Sequence, residues 1–218
     1  MATFVFSPPW FWGFDALFEF VSLIIALVLA YYSHRIFRVT EQKKYKIMAY
    51  GFFFFFLALF IKIAINLQIY FHIISSLTSS FPLTLFLYAA GYFLHRFLFL
   101  LGLLYLFNIA VNIPDRRANI VIAVLLFVAT FFSNNVFLIF HFVAALFLII
   151  IFWHFMHNCQ EKKTPASEIV ALSFFLLLLS QFFFLFIPVT NQLYVLGEVS
   201  QFFGFLLLLL NHVVIFKK

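Results

Sequence analysis

Charge is what this chain has least of: Asp, Glu, Lys and Arg together make up 9% of its 218 residues, against about 25% in soluble domains. Hydrophobic residues reach 67%, so a water-soluble fold of this length would lack the polar side chains needed to cover its surface. Cysteine occurs once, as Cys159, which excludes an intrachain disulfide. Glycine occurs six times, and no two glycines stand four residues apart. A G-x-x-x-G contact face is therefore missing, and the glycine- and proline-broken helices of many secondary transporters are not apparent. Catalytic signatures are missing too: there is no H-E-x-x-H, no glycine-rich phosphate loop, no C-x-x-C and no G-x-S-x-G. A protein that is not an enzyme is expected. Residues 1–12 carry no Lys or Arg, unlike the basic start of a cleaved signal peptide. They end in Pro8-Pro9-Trp10-Phe11-Trp12, which reads as an interfacial lead-in, because the prolines stop any earlier helix and Trp favours the headgroup level.

What fills the chain is a succession of long apolar blocks. About 20 residues of helix cross the hydrocarbon core of a bilayer, whereas a membrane β-barrel strand alternates every second residue over about 10. Residues 47–61 and 166–187 are nearly continuously apolar, so the expected fold is all-α: a polytopic membrane protein built as a single seven-transmembrane-helix bundle. The helices are expected over residues 11–38, 45–71, 82–113, 117–132, 135–157, 165–187 and 192–216. Pro114 closes the third. Thr164 is placed to cap the sixth, with Pro165 in its favoured first-turn position. Ser133-Asn134 is so short a link that helices 4 and 5 must form an antiparallel hairpin. Neither terminus carries a kinase, cyclase or DNA-binding module, so any signal is expected to pass to a separate partner.

The basic residues occupy alternate loops. Arg35, Arg38, Lys43, Lys44 and Lys46 surround loop 1, Arg116 and Arg117 mark loop 3, Lys162 and Lys163 mark loop 5, and Lys217 and Lys218 end the chain. The N-terminal tail and loops 2, 4 and 6 have none. The positive-inside rule then puts the N-terminus outside and the C-terminus inside, with Cys159 on the reducing side. The net charge of +6 belongs beside anionic lipid, and no nucleic-acid partner is expected. Membrane lipids, a membrane-protein partner or self-association remain.

Of the 13 basic residues, Lys62 and Arg96 lie within apolar blocks. A lone charge in hydrocarbon costs roughly 2.5–3.5 kcal/mol on the most lenient scale, so each should face protein or a water-filled cavity. Lys62 shares a helix face with Asn66, one turn on. At comparable depth lie Asp15 and Glu19 of helix 1 and Glu198 of helix 7. A cluster of Asp15, Glu19, Lys62 and Glu198 is expected toward the outer side. It could bind a polar ligand or carry ions, it could be a structural ion-pair network, or Lys62 could snorkel outward. Arg96 has no acidic residue at its own depth. Its candidate partners are His95, the Tyr92 hydroxyl, carbonyls of a broken helix, or a bound anion. Asn108 and Asn112, one turn apart, are suited to interhelical hydrogen bonds.

No cofactor is expected. Haem b in a bundle needs facing histidines at similar depth, and His95, His141 and His212 are staggered. His154, His157 and Cys159 are weak zinc candidates without an evident fourth ligand. The chain holds 39 phenylalanines, including five in a row over residues 52–56, and these serve as bulk apolar filler. A microbial-rhodopsin reading fails, because helix 7 has lysines only beyond its end and helix 3 has no carboxylate before Asp115.

The end of helix 1 reads Tyr31-Tyr32-Ser33-His34-Arg35-Ile36-Phe37-Arg38-Val39-Thr40, followed by a basic turn and residues 45–50 opening helix 2. This stretch resembles uncharacterised archaeal and bacterial seven-helix membrane proteins, in which helix 1 often closes on an aromatic-x-x-x-Arg-x-x-Arg-x-Thr-like pattern. The resemblance covers about 20 residues. It implies a multi-pass protein of a prokaryotic cell membrane and a sensor-like bundle, and it carries over no active site. Two functions are expected from the whole: a sensor-like or accessory subunit acting through a membrane or cytoplasmic partner, or a small transporter or channel using a polar cavity around Lys62 and Arg96.

Overall fold

A computed structural model of the chain describes residues 8–11, 13–75, 81–111, 116–133 and 137–216. The expected interfacial role of Trp12, the closure at Pro114, the amide of Asn112, the hairpin link at Asn134 and the terminal lysines lie outside the described residues.

Among the described residues, a 3₁₀ turn at Pro9–Phe11 is followed by seven helices: α1 (Phe14–Thr40), α2 (Lys43–Ser75), α3 (Phe81–Val111), α4 (Arg116–Ser133), α5 (Phe137–Lys162), α6 (Pro165–Leu185) and α7 (Gln192–Phe216). Six of them are long and apolar enough to cross a membrane, and α4 is a shorter apolar helix. In hydrocarbon no water is available to the backbone, and a helix satisfies its own N–H and C=O groups. The protein is an integral membrane protein.

Several helices run past the limits expected from the apolar blocks, and the reasons are local. Helix α1 continues to Thr40, whose hydroxyl donates to the Ile36 carbonyl at 2.9 Å. Glu41 then turns left-handed (φ 54°) and its N–H donates to the Phe37 carbonyl, a closure more often supplied by glycine. The chain reverses in two residues, so α2 begins at Lys43 rather than residue 45. Helix α5 runs five residues beyond residue 157. Its polar tail is held by pairs one turn apart, Asn158 with His154 at 2.9 Å and Glu161 with His157 at 3.4 Å. Lys163, again left-handed (φ 47°), closes it. Helix α6 stops short, at Leu185, because Pro188 disfavours a helical residue before it. The Phe186 N–H is shared among the Phe182, Phe183 and Phe184 carbonyls. Its start follows the expected cap: the Ser167 N–H donates to the Thr164 hydroxyl at 3.3 Å, with Pro165 in the first turn.

The helices form a closed ring in which α1 packs on α2, α2 on α3, α3 on α5, α5 on α6, α6 on α7, and α7 back on α1. Helix α4 packs on α3 and α5. Sidedness is set by polar groups more than by apolar ones, since lipid tails are as apolar as Leu. Phe, Leu and Ile lie both inside and outside, whereas Glu19, Ser22, Ser33, His95, His141, Gln181, Glu198 and Gln201 all point inward and are buried. Helices α2 and α3 touch backbone to backbone at Gly51 and Gly102. A Cβ on Gly102 would lie 2.9 Å from the Phe55 ring and 3.0 Å from the Gly51 carbonyl oxygen. Phe55, Leu59, Leu100, Leu103, Leu148, Ile151 and Phe205 fill the centre of the bundle.

Candidate functional site

Three of the intramembrane charges, Glu19, Lys62 and Glu198, meet at the end of the bundle opposite the basic loops. Glu19 lies five residues into α1 and Glu198 six residues into α7, which at 1.5 Å per residue puts both about 8–9 Å beyond the first residue of their helices. Helix α2 packs antiparallel on α1 and brings up Lys62 from the other direction. Its ammonium Nζ stands 2.8 Å from Glu19 Oε1 and donates to Glu198 Oε1 at 2.9 Å. The carboxylates are 1% and 2% exposed and the Lys62 side chain 15%. Lys62 thus binds within the bundle and does not snorkel away from it.

Two further residues extend the group. Asn66, one turn beyond Lys62, donates from Nδ2 to Glu19 Oε2 at 3.3 Å, and its Oδ1 accepts the Tyr92 hydroxyl of α3 at 3.2 Å. Four helices, α1, α2, α3 and α7, are therefore tied through one polar network. Asp15 plays a different part. Its Oδ1 accepts the backbone N–H of Gly13 at 3.0 Å and of Ala16 at 2.8 Å, so it serves the start of α1, where a negative charge meets the positive end of the helix dipole.

His95 and Arg96 separate, as neighbours on a helix must. His95 is buried and its Nδ1 lies 2.9 Å from the Ala58 carbonyl oxygen, which fastens α3 to α2. The Arg96 guanidinium lies over the rings of Tyr92 and Phe140, each at 5.9 Å from Cζ. It makes cation–π contacts, which strengthen away from water. Arg96 sits on a continuous helix, α3, so a helix break, one of its four candidate partners, is not present there.

Sequence reasoning missed a second polar tie. His141 of α5 and Gln181 of α6 are both buried and lie 2.9 Å apart through Nδ1 and Oε1. Gln181 Nε2 donates to Ser180 Oγ at 3.1 Å, and Ser180 Oγ donates to the Leu177 carbonyl at 2.7 Å. The available signal was that Ser180 and Gln181 interrupt an otherwise apolar run in α6.

Between the charged cluster and the basic end, aromatic rings close the bundle. Phe55 meets Phe99 with centroids 4.9 Å apart and Phe205 at 5.9 Å, and Phe99 meets Phe140 at 5.8 Å. Beyond this layer, Tyr32 of α1 packs on His212 of α7 at 5.0 Å. Ser33 Oγ, Asn108 Oδ1 and Asn211 Oδ1 are buried there and have no hydrogen-bond partner among the described residues.

The histidines near Cys159 do not converge. His154 turns to Asn158 and exposed His157 to Glu161. Among the described residues, no three His, Cys, Asp or Glu side chains are grouped to hold a metal ion.

The chain matches no protein-family model, no curated protein and no solved structure.

Proposed function

We propose that this is a non-enzymatic membrane bundle of the prokaryotic plasma membrane, a sensor-like or accessory subunit that acts through a partner in or beside the membrane. The observation that carries the proposal is the closure of its intramembrane charges on the bundle itself. Lys62 is neutralised by Glu19 and Glu198, and Arg96 lies between aromatic rings. A transporter or channel needs a polar route past these groups. Here Phe55 and Phe205, 1% and 0% exposed, occupy the centre of the bundle beneath them. Such a clasp fixes how α1, α2, α3 and α7 sit together, which is what a bundle that passes on a change of helix packing requires. The subunit reading further draws support from the dispersal of polar groups into helix-to-helix ties, His95 to Ala58 and His141 to Gln181.

The test is reconstitution of the full chain into sealed vesicles, with flux of protons, alkali cations, chloride and amino acids measured beside extraction from the native membrane in mild detergent. The proposal expects no flux above empty vesicles and a discrete complex larger than the monomer. Flux that disappears in Lys62→Met would overturn it in favour of the transporter reading.

A further inference from the structure

We infer that Glu19, Lys62 and Glu198 together form a site for one exchangeable proton, carried by one of the two carboxyl groups. The inference begins with a count of charge. Two buried carboxyls face one ammonium, so with all three ionised the cluster carries an uncompensated negative charge. Removing an ion from water costs several kcal/mol even after relaxation, and only a matched partner offsets it. One ammonium matches one carboxylate. One cation more makes the cluster neutral.

Among the described residues, the other groups around the site do not supply that cation. Asp15, one turn before Glu19 on α1, is itself acidic, and its carboxylate is engaged at the helix start. Tyr194, one turn before Glu198 on α7, and Tyr92 on α3 are phenols. On α3, His95 is fastened to the Ala58 carbonyl and Arg96 lies over Tyr92 and Phe140. On α5, His141 is joined to Gln181.

The geometry favours a proton over an alkali cation. A metal ion wants several oxygens turned toward it, whereas the position between the carboxylates is already filled by Lys62 Nζ, within 2.9 Å of an oxygen of each. Asn66 turns its N–H toward Glu19 and its oxygen away, toward the Tyr92 hydroxyl. A proton needs no coordination shell. It adds to one carboxylate oxygen as CO₂⁻ + H⁺ → CO₂H, arriving from and returning to solvent, with no other bond changed. Occupancy of this site weakens one of the two ion pairs that fasten α1 and α7 to α2. This inference holds whether or not the bundle works through a partner.

Infrared difference spectroscopy on the full chain in lipid nanodiscs tests it, because a carboxylic acid has a C=O stretch that a carboxylate lacks. At neutral pH the expected result is a carboxylic-acid band of one group per chain that shifts in heavy water. Carbon-13 labelling of the glutamate carboxyls should move it; Glu41, Glu161 and Glu168, the other three glutamates, are exposed. The band should vanish in both Glu19→Gln and Glu198→Gln, each of which leaves a balanced pair with Lys62, and persist in Lys62→Met. Circular dichroism checks that these variants fold, and the labelled wild-type chain decides the matter if they do not. Absence of a glutamate band in the wild type, or its survival in both Gln variants, overturns the inference. A band that appears only when sodium is withdrawn also overturns it, since the site would then hold an alkali cation.

Discussion

Arg96 shows how aromatic rings help to accommodate a single cation at membrane depth. Its guanidinium lies over Tyr92 from its own helix and Phe140 from α5, and each such contact contributes about 0.5–2 kcal/mol, the larger values where water is excluded. A double-mutant cycle between Arg96→Met and Phe140→Leu, read by thermal unfolding in nanodiscs, should give a favourable coupling of about that size. Additive effects would mean that the ring does not hold the cation. The position of Arg96 in a polar-poor helix was legible in the sequence, because a charge inside an apolar block stands out. Its partner was not, since Phe140 is one of 39 phenylalanines and nothing marks it from the rest. Asp15 and Glu19 illustrate the same limit. Their spacing puts them on one helix face, yet Asp15 lies in the first turn, where free N–H groups compete for its carboxylate.

At the scale of the elements, helix existence was plain from apolar length, but helix ends were not. Apolar patterning stops where the membrane stops, whereas a helix stops where its backbone bonds are capped. Helices α1 and α5 therefore run on through polar residues to left-handed Glu41 and Lys163, and α6 retreats from Pro188. The pairing of elements depends on small residues that sequence alone could not assign to a contact. Gly102 meets Gly51 and Phe55 with no room for a side chain. Gly102→Val should lower stability by about 1–3 kcal/mol, the usual cost of forcing extra carbon atoms into a packed contact. Ala89→Val, at an exposed position of the same helix, should change it by less than about 0.5 kcal/mol. Equal losses at both positions would indicate a general intolerance of α3 to branched residues and not a close α2–α3 contact.

For the whole molecule, the ring of six helices with α4 against α3 and α5 puts every described loop lysine and arginine at one end and the Glu19–Lys62–Glu198 cluster toward the other. On the positive-inside rule the basic end is expected to face inward. In a Cys159→Ser background, cysteine at Val189 should react with a membrane-impermeant maleimide added outside intact cells, and cysteine at Val39 only after permeabilisation. Both sites are well exposed, 78% and 79%. The reverse pattern would invert the topology. That Glu19, Lys62 and Glu198 share a depth followed from counting residues along antiparallel spans. That they touch depended on how each helix is rotated, which in lipid follows from where polar groups find partners.

The central claim is that Glu19, Lys62 and Glu198 are a closed clasp internal to the bundle. Removing one partner of a buried ion pair costs about 3–5 kcal/mol, while replacing the whole set with neutral groups is often tolerated. The decisive measurement is the unfolding stability in nanodiscs of Lys62→Met beside the triple variant Glu19→Gln, Lys62→Met, Glu198→Gln. A closed clasp requires Lys62→Met to be the less stable by several kcal/mol, with the triple variant recovering most of the loss. If Lys62→Met matches the wild type, or the triple variant is no better than Lys62→Met, the charges do not neutralise one another and the claim is contradicted.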